Sequence, residues 1–295
     1  MVGLALRWNA DALRQQLAAR WPGLALEIVA ETRSTSSDLL DRLRGTPIGA
    51  GPSGDVQVRR SIESTAYAGF APCLRVAEQQ TDGRGRQGRR WQSARGASLT
   101  FSLALPIARA DWSGLSLALG VAIAEALDPA GDRIGLKWPN DLWLLDAPGC
   151  GRKLGGILVE TVTAGRPRVA VIGVGLNIEP LMPEANLDSG YAALRELVPD
   201  IGAPDALARV AGPLLDTVRR FEADGFAPFH ARYRPRDLLA GHPVRTTRGD
   251  LPEGIAGGVT SRGELIVRGP DGRDHDLASG EVSARIDAHA VTTPC

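Results

Sequence analysis

Residues 83–91 contain the residue types best suited to hold an anion, with three glycines and four arginines in nine positions. Glycine lets a backbone pass close to a ligand, and the arginine guanidinium presents a fork of donors that matches carboxylate and phosphate groups. The stretch follows residues 73–77, an apolar run typical of a buried strand. The sequence therefore predicts a loop at a strand end that binds an anionic small molecule.

The glycines of this loop also match G-x-G-x-x-G, the fingerprint of dinucleotide-binding folds. That fold requires a helix directly after the loop. Residues 99–105 instead alternate with the period of a strand and end at Pro106. A Walker loop is excluded because no Lys-Ser or Lys-Thr follows. A solvated basic turn is the ordinary alternative for an arginine cluster, and the interleaved glycines count against it.

Lysine is rare in this chain, and both lysines lie in motifs that could do chemistry. Of the 34 basic residues, only Lys137 and Lys153 are lysines. Lys137 begins a Lys-Trp-Pro-Asn-Asp stretch at 137–141, and Lys153 lies in the glycine-rich stretch 151–160. A compact ammonium suits a position where a guanidinium would be too large or wrongly shaped.

The candidate cations are not accompanied by paired carboxylates or by a nucleophile with its base. The four histidines lie far apart and late in the chain, and they give no zinc signature. The predicted chemistry is therefore positioning and charge neutralisation, as in phosphoryl and nucleotidyl transfer. A carboxylate that attacks the α-phosphate of ATP is one reaction that needs such cations.

Composition limits the class of protein. The 295 residues, 43% of them hydrophobic, suffice for one large core and a smaller second domain. The net charge is zero, which indicates no general affinity for nucleic acid or anionic membranes. No apolar run reaches the length of a membrane span, and no signal-peptide pattern is present. Three cysteines without metal or redox spacing favour a reducing cytoplasm.

Periodicity predicts the elements that position these residues. We expect strands at 24–30, 73–77, 99–105, 134–137, 151–160 and 169–178. Helices are expected after Asn9 as a cap, after the hydroxyl cluster at 34–37, and at 112–127, 191–198 and 204–221. Residues 45–69 have the composition of a long loop. Short strands at 242–247, 254–260, 263–269, 274–278 and 280–286 predict a small barrel.

Taken in order, several stretches resemble the successive motifs of biotin protein ligases: 78–91, 137–141, 151–160, 173–178 and, near the end, 279–285. The resemblance covers essentially residues 24–290; each motif alone is weak, whereas the ordered set is highly specific. It implies an α+β fold, with a mixed or antiparallel sheet packed with helices as in class II synthetases, over residues 1–236. A small SH3-like β-barrel would follow at 237–290.

The resemblance also implies an activity. Biotin and ATP, with Mg²⁺, would give biotinyl-5′-adenylate, and the biotinyl group would pass to one lysine of a biotin carboxyl carrier protein domain, such as that of acetyl-CoA carboxylase or a related carboxylase. The room before residue 24 is too short for a DNA-reading winged domain, which favours the monofunctional class and no DNA partner. A membrane partner is not expected, and a homodimer is possible.

Motif position assigns roles to individual residues. The resemblance implies that the ureido end of biotin is bound by Ser34, Thr35 and Gln80, and that its pocket is lined by Gly83 and Arg84. Gly156, near Lys153, would allow close approach of the biotin. Lys153 and Arg86 are the expected catalytic residues, the first at the biotin carboxylate and α-phosphate, the second holding the intermediate. The adenylate is expected to contact Arg86, Arg89, Trp91, Lys137, Asn140 and Asn177. The sequence identifies no metal ligands.

Two other functions stay open at this point. A lipoate- or octanoate-activating ligase would keep a similar catalytic sheet, but it would need a long apolar tunnel, and the polar set around Gln80 favours a ureido ring. A protein that only senses biotin would not need Lys153, and no output domain is visible in the sequence.

Overall fold

The computed structural model describes residues 6–45, 71–147, 149–162, 168–180, 190–279 and 284–286. The chain divides into two compact units. The first unit takes in residues 1–108, 158–181 and 200–212, and the second takes in 109–157, 182–199 and 213–295. The division expected from sequence, at 236/237, stays a prediction. The loop expected at 45–69 lies outside the described residues apart from Gly45.

The described residues form strands and helices that we number in chain order. The strands are β1 (Ala25–Thr32), β2 (Cys73–Gln80), β3 (Gly83–Arg84), β4 (Arg90–Trp91), β5 (Ser98–Pro106), β6 (Ile134–Lys137), β7 (Asp141–Ala147), β8 (Cys150–Val162), β9 (Val169–Asn177), β10 (Pro243–Thr246), β11 (Glu253–Val259), β12 (Leu265–Arg268), β13 (Asp274–Leu277) and β14 (Ala284–Ile286). The helices are α1 (Ala10–Ala18), α2 (Thr35–Leu43), α3 (Leu115–Leu127), α4 (Ala203–Asp224) and α5 (Ala227–Tyr233).

The first unit is built on a mixed sheet. β1 pairs in parallel with β2, β2 pairs antiparallel with β5, and β5 pairs antiparallel with β9. Every residue of β5 is buried, including the polar Thr100 and Ser102, as is typical of a central strand. A mixed sheet packed with helices, as expected, is therefore confirmed.

Helix α2 carries the hydroxyl cluster and packs on this sheet. Ser34 caps it, because its Oγ accepts a hydrogen bond from the backbone N–H of Ser37 at 3.3 Å. Leu39 and Leu40 lie in the core of the first unit against Cys73 and Ala104. Burying each leucine stabilises the fold by about 1.5–3 kcal/mol, so the helix start is fixed relative to the sheet.

In the second unit, β6, β7 and the beginning of β8 form an antiparallel ladder. Helix α3 packs against β6, β7 and α5. A buried ion pair joins the end of α3 to the residues after α5, since the guanidinium of Arg236 donates to Asp128 Oδ2 at 2.9 Å and to the Asp128 carbonyl oxygen at 2.7 Å. This ion pair therefore helps to hold helix α3 against the ladder that carries the Lys-Trp-Pro-Asn-Asp stretch.

The C-terminal strands form a five-stranded sheet in the order β13-β12-β11-β10-β14, with each neighbour antiparallel. The five short strands expected there are present, although the start of the last one, 280–283, lies outside the described residues. Whether this sheet is SH3-like stays a prediction.

Several expected helix boundaries are wrong. Residues 191–198 form only a single 3-10 turn, at Leu194–Glu196. Helix α3 begins at Leu115 rather than 112, because Gly114 before it has φ 78°, outside helical geometry. Asn9 precedes α1 in a left-handed conformation and makes no side-chain cap bond. Strand β7 and helix α5 were not expected from the sequence.

Candidate functional site

The amide of Gln80 lies at the start of α2 in the first unit. Gln80 Oε1 accepts hydrogen bonds from the backbone N–H of Thr35 at 2.7 Å and from Thr35 Oγ1 at 3.0 Å. Because a backbone nitrogen can only donate, the oxygen of the amide must face Thr35 and the nitrogen must face away. Nε2 donates no hydrogen bond to any residue that the structure describes, so this donor is available to a ligand.

Thr35 belongs to a group of four buried hydroxyls on neighbouring elements, and together with Gln80 we call them the amide cluster: Ser34, Thr35, Ser36 and Ser102. Ser102 Oγ lies 2.7 Å from Thr35 Oγ1 and 2.9 Å from Ser36 Oγ. Ser34 Oγ accepts from Ser37 N, which leaves its own hydroxyl hydrogen free for donation to a ligand. Ser34, Thr35 and Gln80, expected together from motif position, are brought together here.

The arginine-rich stretch forms a small hairpin of β3 and β4. The backbone N–H of Gly85 donates to the Arg89 carbonyl at 2.7 Å, and Gln87 and Gly88 turn the chain with φ of 55° and 72°. A side chain at Gly83 would collide with the carbonyl oxygen of Trp91, so glycine is required there. The predicted loop is therefore a tight hairpin.

Its arginines differ in their surroundings. Arg84 donates to Glu160 Oε1 at 2.9 Å and to Ser37 Oγ at 3.3 Å, so its charge is compensated by the protein itself. Arg86 is half-buried, whereas Arg89 is exposed. Glu160 Oε2 is buried and makes no hydrogen bond with the described residues. Glu160 was not singled out from the sequence, although it lies in the glycine-rich stretch.

Trp91 packs on β9. A Cβ at Gly175 would lie 2.5 Å from Trp91 Cε2, so the missing side chain of this glycine makes room for the indole. The indole Nε1 is buried and without a hydrogen-bond partner in the described part of the chain. Asn177 ends the same strand and is buried. Trp91 and Asn177 both belong to the first unit.

In the second unit, Lys153 on β8 forms an ion pair with Asp141 on β7, which we call the ammonium pair. Lys153 Nζ donates to Asp141 Oδ1 at 2.8 Å, and the two side chains are 28% and 23% exposed. A Cβ at Gly156 would lie 3.3 Å from that carboxylate oxygen and 3.7 Å from Nζ. Gly156 therefore leaves the surroundings of the ammonium open, as the motif suggests.

Lys137 and Asn140 lie at the turn between β6 and β7. The Lys137 ammonium lies 4.4 Å above the ring of Trp143, within the range of a cation–π interaction. Asn140 Nδ2 donates to the Ile157 carbonyl at 2.8 Å, and the Asn140 carbonyl accepts from Ile157 N at 2.9 Å. The Asn140 amide nitrogen is thus used to hold the turn against β8.

Arg152 holds the chain next to Lys153. Its guanidinium donates to Asp146 at 2.7 Å, to Glu196 at 2.8 Å and to the Tyr191 carbonyl at 3.0 Å. These hydrogen bonds keep the pKa of the Asp146 and Glu196 carboxyl groups below their usual values, although partial burial opposes this, and they raise the pKa of Arg152. The 190–196 segment is thereby tied to β8, where Ala192 N also donates to the Lys153 carbonyl at 2.9 Å.

Sequence reasoning missed Ser102 and Trp143. Ser102 had a signal: the polar residues of β5, Ser98, Thr100 and Ser102, recur at every second position and so share one face. Trp143 lies just beyond the Lys-Trp-Pro-Asn-Asp stretch, and only the unexpected strand β7 brings it beneath Lys137.

The described residues offer neither a cluster of metal ligands nor a membrane-spanning helix. In the ranges that the structure describes, no three His, Cys, Asp or Glu side chains cluster closely enough to hold a metal ion. None of the helices in those ranges combines the length and the apolar composition needed to cross a membrane.

Comparisons with known proteins agree on one family. Residues 63–177 match the biotin/lipoate A/B protein ligase family. The chain is 37% identical over 216 residues to the bifunctional ligase/repressor BirA of Salmonella typhimurium, a match that covers 71% of this chain and 66% of that protein, just under two thirds of its length.

Two further comparisons cover more of the chain. It is 33% identical to the biotin--[acetyl-CoA-carboxylase] ligase of Mycobacterium tuberculosis over 92% of this chain and 93% of that protein. The solved structure of the biotin protein ligase from Aquifex aeolicus in complex with biotin and ATP superposes with a TM-score of 0.68 at 25% identity, covering 89% of this chain and 99% of that one. With these relatives and with the ordered motifs in place, the chain belongs to the biotin protein ligase family.

Proposed function

We propose that this protein activates biotin with ATP to biotinyl-5′-adenylate and then transfers the biotinyl group to a lysine of a biotin carboxyl carrier protein domain. The support is membership of the family together with a relative named biotin--[acetyl-CoA-carboxylase] ligase that aligns over 93% of its length. A carrier domain of acetyl-CoA carboxylase, or of a related carboxylase, is the protein partner that this relative suggests.

The single observation that carries the choice of biotin is the fixed amide of Gln80. Its Nε2 is a donor without a protein partner in the described residues, and Ser34 keeps a hydroxyl hydrogen nearby in the same cluster. A cyclic urea offers a carbonyl oxygen that accepts such hydrogen bonds. An octanoyl or lipoyl tail offers no acceptor, and burying these donors against it would leave them unsatisfied, at about 1–3 kcal/mol each.

Lys153 is proposed as the group that makes activation possible. An oxygen of the biotin carboxylate attacks the α-phosphorus of ATP, the new P–O bond forms, and the bond to pyrophosphate breaks. Both reactants are anions, so a fixed ammonium reduces their repulsion and stabilises the charge that develops on the phosphoryl oxygens. Asp141 holds the ammonium in place, and Gly156 leaves room for the reacting groups.

The nucleotide side is proposed to involve Arg86, Arg89, Trp91, Lys137, Asn140 and Asn177. The exposed guanidinium of Arg89 can pair with phosphate. Magnesium typically binds through one or two carboxylates plus the phosphates of a nucleotide, so the described residues fit an ion carried by ATP without a protein cage. Such an ion would neutralise phosphate charge.

In the second step, the amine of the carrier lysine attacks the carbonyl carbon of the adenylate. The C–N bond forms, the bond to AMP breaks, and the amine releases a proton to solvent. Arg86 is proposed to hold the adenylate until the carrier arrives. Lys153, which can compensate the charge on AMP as it leaves, would act in both steps.

The proposal extends to domain organisation: a catalytic domain at 1–236 and an SH3-like domain at 237–290, supported by the antiparallel order of β10 to β14. We propose a cytoplasmic protein that acts without DNA or a membrane. Self-association as a homodimer remains a prediction, and sedimentation of the purified chain with and without biotin and ATP would test it.

Pyrophosphate release tests the proposed function. The purified chain is given ATP and Mg²⁺ with biotin, lipoate or octanoate in turn, and a biotin carboxyl carrier domain is then added to detect biotinylation by mass. We expect release with biotin alone and a biotinylated carrier. Release with lipoate or octanoate only would place the protein with the acyl ligases of the same family, and biotin binding without release would make it a sensor.

A further inference from the structure

We propose that Ser102 and Ser36 are positioning residues that set ligand selectivity at Gln80. The backbone N–H of Thr35 sets the orientation of the Gln80 amide, and a chain of hydroxyl hydrogen bonds from these two serines holds the amide there, so that the ligand atom facing it must be a hydrogen-bond acceptor. This inference rests on the proposed function, since it concerns the group that recognises the ligand. Neither serine was identified from the sequence motifs.

The direction of the chain follows from counting hydrogens. Thr35 Oγ1 gives its only hydrogen to Gln80 Oε1, so in its contact with Ser102, at 2.7 Å, it must accept. Ser102 therefore donates to Thr35, and in its contact with Ser36, at 2.9 Å, Ser102 must in turn accept. Ser36 is the first donor. The hydrogens all point from Ser36 through Ser102 and Thr35 to the Gln80 oxygen.

The start of α2 sets this direction. Thr35 is the first residue of this nine-residue helix, and its backbone N–H, which no turn of the helix can satisfy, donates to Gln80 Oε1 at 2.7 Å. If the amide were reversed, Nε2 would face this N–H and the two donors would repel each other. Hydrogen bonds in a chain polarise one another. Because Gln80 Oε1 accepts two hydrogen bonds, the amide is polarised and its Nε2–H becomes a stronger donor.

Glycines keep space for this arrangement. A Cβ at Gly173 on β9 would lie 2.5 Å from Ser36 Oγ, so any side chain there would displace the first donor of the chain. A Cβ at Gly83 would lie 3.1 Å from Gln80 Nε2, so the missing side chain leaves the amide nitrogen reachable. Both glycines belong to motifs of the family. Gly173 leaves room for the Ser36 hydroxyl, and Gly83 leaves the Gln80 amide nitrogen accessible.

The consequence is a selectivity that chemistry can probe. The urea oxygen of biotin accepts a hydrogen bond from Nε2. In 2-iminobiotin, an imino group replaces that oxygen, and the protonated guanidine presents only N–H donors at the same place. A fixed Nε2 therefore rejects the analogue, whereas an amide that could reverse would offer its oxygen and accept it.

The test is direct binding of biotin and of 2-iminobiotin to the full chain by calorimetry without ATP, from which the ratio of the two Kd values is taken. Ser102→Ala is expected to reduce the preference for biotin about five- to tenfold, the size of one neutral hydrogen bond. Ser36→Ala should reduce it less, and the double variant no more than Ser102→Ala. A merely structural role would weaken both ligands alike and leave the ratio unchanged.

Thr100→Val is the matched control. Thr100 lies two residues before Ser102 on β5, is equally buried, and donates to the Ala77 carbonyl at 3.0 Å outside the chain of hydroxyls. The preference should stay within about twofold of the native value, even where the unsatisfied Ala77 carbonyl makes the variant less stable. Thermal unfolding of each variant confirms that it is folded.

The outcomes separate the two proposals. An unchanged ratio in folded Ser102→Ala, or an equal fall in Thr100→Val, would overturn the positioning role while leaving the ligase function standing. A native chain that binds biotin but releases no pyrophosphate would overturn the ligase function and leave the positioning role intact. A native chain that binds neither ligand would overturn both.

Discussion

The amide cluster of the first unit and the ammonium pair of the second unit contrast in charge and burial. The amide cluster is neutral and buried, and its hydrogen bonds have fixed directions. The ammonium pair is charged, and about a quarter of each side chain is exposed. Neutral hydrogen bonds away from water depend strongly on geometry, whereas a partly exposed ion pair keeps part of its hydration and can exchange partners.

This contrast suggests a division of labour. Recognition of a neutral ring needs donors whose orientation is set before the ligand arrives. Activation of a carboxylate by ATP needs a cation that can weaken its ion pair with one anion and interact with the negative charge that develops on another. We therefore assign binding to the amide cluster and the chemical step to the ammonium pair.

The largest effect is expected from Lys153→Ala. Removal of one preorganised donor from a developing oxyanion typically costs about 10²–10³ in kcat, and we expect that loss in biotin-dependent pyrophosphate release at saturating biotin. Lys153→Arg keeps the charge but changes its shape, so it should recover only part of the rate. A rate for Lys153→Ala within threefold of the native rate would remove this residue from the chemical step.

Gln80→Leu should act mainly on binding. It removes the donor to the ligand and leaves the Thr35 N–H without its acceptor, so we expect Kd for biotin to rise about 10- to 100-fold by calorimetry. Gln79→Leu is the matched control, because neighbouring residues of a strand point to opposite faces. Equal losses in the two variants would mean that the amide cluster is not the recognition site.

Asp141→Asn tests whether the ammonium is held by its partner. The substitution keeps the shape of the side chain but removes the charge that fixes Lys153 Nζ at 2.8 Å. We expect kcat to fall about three- to tenfold, less than for Lys153→Ala, because the cation remains but is less well placed. A loss as large as that of Lys153→Ala would instead give Asp141 a direct role in the reaction.

The smallest effect concerns acid stability. The hydrogen bond from Arg152 lowers the pKa of Glu196, so the pair stabilises the fold above the unfolded value of about 4.3, and that contribution is lost as pH falls through the lower folded value. For a largely exposed pair this is about 0.5 kcal/mol. Thermal unfolding of Glu196→Gln should lie one or two degrees below native at pH 7 and converge with it near pH 3. The exposed Glu253→Gln should show neither change.

Much of the fold could be predicted from the sequence where a pattern was long enough. Apolar runs predicted β2 and β9, since strands in the middle of a sheet are buried on both faces, and the alternation of residues 99–105 predicted β5. The helix predicted at 191–198 is wrong because the buried apolar triplet 192–194 resembles one turn of a helix in its pattern. A helix that short is costly to nucleate, and only a 3-10 turn forms.

The candidate site was predictable in residue type but not in pairing. The motif residues Lys153 and Arg84 could be chosen from the sequence, whereas their pairing with Asp141 and Glu160 depends on strands brought together by the fold. Asp141 lies in the same Lys-Trp-Pro-Asn-Asp stretch as Lys137, but the unexpected strand β7 pairs it with Lys153. Sequence spacing carries no information on such cross-strand contacts.

The division of labour is tested most directly by measuring two quantities on two variants. Calorimetry gives the Kd for biotin, and single-turnover adenylate formation at saturating biotin and ATP gives the rate of the chemical step. We predict that Gln80→Leu changes Kd far more than the rate and that Lys153→Ala changes the rate far more than Kd. If both variants changed the two quantities in the same proportion, the separation of recognition from activation would be wrong.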